Sequence, residues 1–175
     1  MDTLKDRIPD YARDLRLNIS SVLTPQGAPG LTEAQLWMIA FASAIASRNA
    51  ELARMVETDA APRLSHAQME AARSAAAIMG MNNVYYRFLH LVEDEEYAKL
   101  PARLRMNVIG SPGIPKADFE LVSLAVSAVN GCGKCVTAHE RVLRQHEVSR
   151  EAVQSAVRIA SVIHAVAGVL DYEAA

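Results

Sequence analysis

The stretch Asn130-Gly131-Cys132-Gly133-Lys134-Cys135-Val136-Thr137-Ala138-His139-Glu140 holds both cysteines of this 175-residue chain. They stand three residues apart, and a histidine follows four beyond the second. Asn130-Gly131 is a turn signal that interrupts an apolar run, so a new helix is expected to begin at Cys132. Positions three and four apart share a helix face. At about 100° per residue, Cys132, Cys135 and His139 then fall within a sector of roughly 60°. A helix N-terminus offers unpaired N–H groups and a partial positive charge, both favourable to a thiolate. A thiol placed there is expected to have a lowered pKa. The stretch therefore predicts a dithiol that cycles between reduced and disulfide forms, with His139 moving protons.

Helices extend on both sides of it. Ala117 to Val129 reads as an apolar helix ending at Asn130-Gly131, Cys132 to His146 as the helix of the dithiol, and Ser149 to Ala167 as a last long helix. Toward the N-terminus, Leu4, Ile8, Tyr11, Ala12, Leu15 and Ile19 give helical spacing over residues 2–22. A Pro/Gly-rich loop follows at Thr24 to Gly30. Thr32 with Gln35, and Ser65 with Gln68, form capping-box patterns that open two further helices. Between them, Leu36 to Ala46 is almost wholly apolar and Arg48 to Thr58 is amphipathic. The helix from Ala67 to Leu91 is expected to break at Gly80. Glu93 to Glu96 reads as a solvated acidic face. No stretch alternates as a strand would, so the fold class is all-α.

An internal repeat underlies this order. At one constant offset, Ala42-Ser43-Ala44-Ile45 meets Val126-Ser127-Ala128-Val129, Ser65 meets Ser149, Ala72 meets Ala156, and Ile78-Met79 meets Val162-Ile163. The halves, about 31–91 and 115–172, each read as apolar, amphipathic and capped helices that would bury their apolar faces against each other. Residues 1–175 are then a single domain. At this offset Arg48 and Glu51 stand where the second half has Cys132 and Cys135.

Composition narrows the function classes. Aromatic residues make up only 5% of a chain that is 51% hydrophobic, which suits closely packed helices. The net charge is −2, with no basic tract to meet nucleic acid. No unbroken apolar run approaches the length that a membrane span needs, so none is expected. The N-terminus, Met1-Asp2-Thr3-Leu4-Lys5-Asp6, lacks the apolar core of an export signal, and a cytoplasmic location is expected. Two cysteines there read as redox-active or metal-binding.

Each candidate side chain has a plainer reading beside the chemical one. The cysteines could be small buried hydrophobes, or two ligands of a zinc site completed by His139 and one distant residue. Glu120 sits in the apolar run Phe119-Glu120-Leu121-Val122, where a carboxylate is costly unless paired. It either orients His139 or lies exposed in a first helical turn. Lys134, between the cysteines, either favours a thiolate or is simply solvated.

Taken together, Phe119-Glu120-Leu121, Asn130-Gly131-Cys132-Gly133-Lys134-Cys135, Ala138-His139-Glu140 and Leu143-Arg144 resemble the alkyl hydroperoxide reductase D family of the carboxymuconolactone-decarboxylase-like superfamily. The specific element is Glu, eleven residues, Cys-x-x-Cys, three residues, His. The resemblance implies an all-helical, trimer-forming antioxidant enzyme. Such an enzyme reduces a partner peroxiredoxin (alkyl hydroperoxide reductase C) and has weak alkyl hydroperoxidase activity of its own. Its electrons come from dihydrolipoamide on a lipoylated 2-oxoacid dehydrogenase subunit, with no tightly bound cofactor. Carried over, Cys135 is the reacting thiol, Cys132 resolves it to a Cys132–Cys135 disulfide, and Glu120 with His139 forms the proton relay. The chain departs from the family pattern at Lys134, where well-known members have a histidine that belongs to the relay. Two other classes stand beside this reading. One is a decarboxylase-like or hydrolytic use of the same scaffold; the other is a metal-binding or redox-sensing module.

Overall fold

The computed structural model of the chain describes residues 2–175. Among them there are ten α-helices, one 3-10 turn and no strand, so the chain is all-α. The N-terminal run is three pieces where spacing predicted one: α1 (Asp2–Asp6), a 3-10 turn (Asp10–Ala12) and α2 (Arg13–Val22). Pro9 is the reason, because it has no N–H to give and its ring clashes with the carbonyl four residues back. Leu4, Ile8, Ala12 and Ile19 are nonetheless buried and Leu15 is partly so, whereas Tyr11 is 66% exposed because the break at Pro9 turns it out of the stripe.

Then come α3 (Glu33–Ala46), α4 (Ala50–Ala60) and α5 (His66–Leu91). Both capping boxes form. Thr32 Oγ1 accepts from the Gln35 N–H at 3.2 Å while the Gln35 side chain accepts from the Thr32 N–H at 2.9 Å, and Ser65 with Gln68 does the same. Gly80 does not break α5, which runs 26 residues without interruption. Gly costs a helix only about 1 kcal/mol relative to Ala, and tertiary packing on both sides of Gly80 outweighs that. Two short helices that sequence spacing did not reveal, α6 (Glu95–Lys99) and α7 (Asn107–Gly110), lie in the exposed connection after α5. The acidic run contributes the α6 N-cap, Asp94, whose carboxylate accepts from the Glu96 N–H.

The chain closes with α8 (Lys116–Val129), α9 (Gly133–Gln145) and α10 (Arg150–Glu173). The core forms where α3 and α8 meet, with α5 and α10 packed against both. Phe41, Met38, Phe119, Leu121 and Leu124 are fully enclosed there. By length and composition α10 would pass for a membrane span, which the residue-by-residue reading did not register. Within the fold it carries one buried stripe (Ala152, Ala156, Ile159, Ile163, Val166, Leu170) at helical spacing. Arg150, Arg158 and Asp171 lie outside that stripe.

The caps align the two helical trios differently from the sequence offset. Asn49 caps α4 and Cys132 caps α9, while Ser65 caps α5 and Ser149 caps α10. The step from Asn49 to Cys132 is one residue shorter than the step from Ser65 to Ser149. The connection through α9 is therefore longer by that residue. In the register of the caps, Asn49 and Leu52 stand opposite Cys132 and Cys135, one position on from Arg48 and Glu51.

Candidate active site

The site is built on the turn between α8 and α9. Asn130 ends α8, and Gly131 takes φ 69°, the left-handed conformation that closes a helix without a Cβ penalty. The Gly131 N–H bonds the Ala128 carbonyl at 3.1 Å and the Cys132 N–H bonds the Ser127 carbonyl at 3.0 Å. These two bonds make a Schellman closure. Cys132 thus ends one helix and begins the next, and its Sγ accepts from the Cys135 N–H at 3.3 Å. A sulfur occupies the place where helices usually put a serine, threonine or aspartate oxygen.

Both thiols are free. Cys132 is fully buried, whereas Cys135 reaches the wall of a cavity of about 260 Å³. Met79, Tyr86, Met106 and Ile109 make the apolar side of this cavity, and Asn82, Lys134 and His139 supply its polar groups. His139, one turn after Cys135, therefore faces the same space.

Glu120 is buried and paired, which settles its two readings in favour of the paired one. Its Oε2 lies 2.6 Å from His139 Nδ1, and its Oε1 lies 2.7 Å from Lys116 Nζ. Burial pushes the Glu120 carboxyl up, but the hydrogen bonds from His139 and Lys116 outweigh it and hold the group below its ordinary range. With the carboxylate ionised, Nδ1 carries the proton. The other ring nitrogen, Nε2, is 3.3 Å from the Met79 sulfur, which can only accept. Nε2 is thus the ring nitrogen that Glu120 does not engage, and it lies beside Met79 in the cavity wall. Lys116 also donates to the Ile109 carbonyl at 2.7 Å, so it ties the cavity wall to the Glu120 carboxylate.

The expectation of a lowered thiol pKa is overturned for Cys135. Burial, and then the adjoining Cys132 sulfur, push this thiol up to about 11 from its ordinary 9.0. The Asn83 side chain and, more weakly, the Lys134 charge pull the other way. The helix N-terminus is present as predicted, but the N–H of Cys135 is spent on Cys132 Sγ, and desolvation of an enclosed sulfur dominates. At neutral pH the Cys135 thiol therefore holds its proton. Lys134 is exposed, with Nζ 6.0 Å from the Tyr86 ring centre.

All five predicted residues, Glu120, Cys132, Lys134, Cys135 and His139, converge on this turn and cavity. Residue reading missed the partners supplied by α5. Asn83 is 1% exposed, donates to Ser127 Oγ at 2.9 Å and accepts from Asn130 Nδ2 at 2.9 Å, which locks its amide beside the dithiol turn. Arg87 donates to the Asn130 carbonyl at 2.6 Å. Two adjacent asparagines inside an otherwise alanine-rich helix were the available signal. Among the described residues, no group of three or more His, Cys, Asp and Glu side chains could hold a metal ion.

Helical frame and turn together define a helical domain built around a reduced Cys-x-x-Cys pair with a carboxylate-bound histidine. Residues 95–175 match the model of the carboxymuconolactone decarboxylase family. Over its whole length the chain is 57% identical to a protein of Rhodospirillum centenum named alkyl hydroperoxide reductase AhpD, covering 92% of it. It is 55% identical to a protein of that name from Streptomyces griseus (99% of this chain, 97% of the relative) and 52% identical to one from Brucella anthropi (98% and 96%). The chain belongs to the alkyl hydroperoxide reductase AhpD family.

Proposed function

We propose that this protein is an antioxidant dithiol oxidoreductase that reduces alkyl hydroperoxides weakly by itself and a partner peroxiredoxin more effectively, with electrons from dihydrolipoamide. The observation that carries the reading is the division of the pair. Cys135 lines the cavity beside His139, while Cys132 is enclosed behind it with its sulfur against the Cys135 N–H. One thiol can meet a substrate and the other can only meet its partner thiol.

The steps follow from that division. His139, held by Glu120, takes the Cys135 proton through Nε2. The thiolate attacks the outer oxygen of the hydroperoxide, the O–O bond breaks, and the leaving alkoxide takes the proton back from His139 as an alcohol. Cys135 is left as a sulfenic acid. Cys132 attacks that sulfur, water leaves, and a Cys132–Cys135 disulfide forms. Dihydrolipoamide then attacks the disulfide, is oxidised to lipoamide, and restores both thiols. Toward a peroxiredoxin, the same thiolate attacks the partner's disulfide instead of a peroxide. Lys134 supplies a positive charge near the thiolate but, near the normal lysine pKa of about 10.4, does not shuttle protons as a histidine there would.

The electron source is a lipoylated 2-oxoacid dehydrogenase subunit, and the setting is cytoplasmic. A homotrimer would cover exposed apolar side chains such as Val84, Phe88, Leu91 and Leu100. The test is NADH oxidation in a mixture of this protein, dihydrolipoamide dehydrogenase, lipoamide and cumene hydroperoxide, with and without a peroxiredoxin. Turnover that needs both cysteines and rises on adding the peroxiredoxin is expected. A folded, reduced sample that shows no lipoamide-dependent oxidation overturns the reading.

A further inference from the structure

We infer that the Asn82 side-chain amide holds the peroxide end of the substrate against Cys135. This rests on the proposed peroxide reduction and names a group for it that neither sequence motif nor family pattern supplies. Asn82 is 4% exposed, and its Oδ1 is buried without a hydrogen-bond partner. Its neighbour Asn83 is equally enclosed but has both ends of its amide engaged. Buried amides are bonded in nearly all folded proteins, and one left unbonded is destabilising. Such a group persists where the unbonded state belongs to function.

The position of Asn82 says which function. It is a wall residue of the cavity that Cys135 and His139 line. On α5 it stands one turn after Met79, which touches His139 Nε2, and one turn before Tyr86. Apart from Lys134 and the Tyr86 hydroxyl, the remaining wall is apolar, made by Met79, Met106, Ile109 and Ala138. An alkyl hydroperoxide has the matching division, a hydrocarbon tail and one O–O–H head with a single donor. With the tail on the apolar side, the head lies among Asn82, Cys135 and His139, and a turn of the Asn82 amide about its soft χ2 torsion, which no hydrogen bond opposes, brings the enclosed oxygen to the O–H of the head. That bond fixes the outer oxygen for attack by the Cys135 sulfur, and the inner oxygen leaves toward His139 Nε2. The amide takes no part in the electron balance. It holds the bond that breaks in line with the sulfur, the kind of positioning that raises rate without new chemistry.

The experiment separates the two half-reactions by rapid mixing. Reduced protein is oxidised by cumene hydroperoxide, and oxidised protein is reduced by dihydrolipoamide, for the wild type, Asn82→Leu and Asn83→Leu, with thermal midpoints measured alongside. Asn82→Leu should slow oxidation by the peroxide about tenfold, the loss expected for one neutral hydrogen bond, and leave reduction by dihydrolipoamide within about twofold. It should not lower the thermal midpoint, because no protein hydrogen bond is lost. Asn83→Leu should lower the midpoint. Equal slowing of both half-reactions by Asn82→Leu, slowing only of the reduction, or no change at all overturns the assignment. A wild-type protein that cumene hydroperoxide fails to oxidise overturns the proposed function as well, and is seen before any variant is measured.

Discussion

The trio α3–α4–α5 and the trio α8–α9–α10 run in the same order with similar lengths, yet only the second carries the two cysteines and the glutamate–histidine pair. Their turns show why. Arg48 in the first trio takes the same left-handed conformation as Gly131 in the second, with φ 63° against 69°. The next residue caps the following helix, Asn49 for α4 and Cys132 for α9. Asn49 Oδ1 accepts the Leu52 N–H at 2.7 Å, and its amide donates to Asp171 at 2.7 Å. Cys132 makes the corresponding bond to Cys135 through sulfur at 3.3 Å, a weaker cap. In the register that sets Asn49 against Cys132, Glu120 and His139 answer to Trp37 and Val56, both buried apolar side chains. One turn geometry thus carries a plain helix cap in one trio and a pair of thiols beside a glutamate–histidine pair in the other. The difference is four side chains, and it replaces an amide cap and apolar packing with two thiols and a buried ion pair.

The sharpest way to break that comparison is to exchange sulfur for oxygen. Cys135→Ser should abolish peroxide-dependent turnover, a loss of a thousandfold or more on the order found when a nucleophile is removed. Cys132→Ser should abolish turnover too, but should still allow Cys135 to reach a sulfenic acid that a dimedone-type reagent traps. Serine is a better cap than cysteine, so Cys132→Ser should not lower the thermal midpoint. If both variants turn over, the second trio is as inert as the first and the division between the thiols carries no function.

Next in size is the relay. Glu120→Gln keeps the shape but removes the charge that orients His139, and should lower turnover by about a hundredfold, within the range for general acid–base groups. It should also change stability against acid. Glu120 has its folded pKa below its unfolded one, so the stability it contributes is present above the ordinary glutamate range and is lost as pH falls through the folded value. Urea unfolding of wild type and Glu120→Gln between pH 7 and pH 3 checks this, with the wild type expected to show the steeper acid loss. A smaller effect belongs to the inert trio. Asn49→Ala should cost about 1 kcal/mol of unfolding free energy and leave turnover unchanged.

Much of this was legible before the structure. Helical periodicity and the two capping boxes located the long helices to within about two residues at most ends, but α10 runs to Glu173, six residues past the expected end at Ala167. The spacing Glu120, Cys132, Cys135, His139 brought those four side chains together, because helix geometry converts those intervals into one face and one facing helix. Three kinds of information were not local. Pro9 divides the first helix although the apolar spacing runs through it. Gly80 is carried through α5 by packing that a propensity scale does not contain. The cavity wall comes from α5 and from the irregular segment that holds Met106 and Ile109. Its depth, and hence the desolvation of Cys135, depends on contacts with side chains as remote in sequence as Met79. The thiol pKa was misjudged for that reason, since a helix N-terminus is visible in a sequence and the enclosure of a sulfur is not.

The smallest prediction concerns Lys134, and it tests that correction. Cys135 titrates at about 11 in the folded protein against an ordinary 9.0. Below 9 both folded and unfolded chains keep the proton, so the group has no effect on the pH dependence. Between 9 and 11 the unfolded chain gives it up and the folded chain does not. Unfolding then releases a proton, and stability falls as pH rises. Alkylation of Cys135 by iodoacetamide in the Cys132→Ser background should accordingly still be rising above pH 9. Removing the Cys132 sulfur takes away one of the causes that raise the pKa, so the midpoint in this background should lie below 11. Lys134→Met removes a charge that is exposed and screened, and its influence is the weakest of those acting on the thiol. It should shift the alkylation profile upward only slightly and slow turnover by no more than about threefold, a loss that high salt reproduces in the wild type. A larger loss, insensitive to salt, would mean that Lys134 does more than stabilise charge and that the relay includes the residue between the cysteines after all.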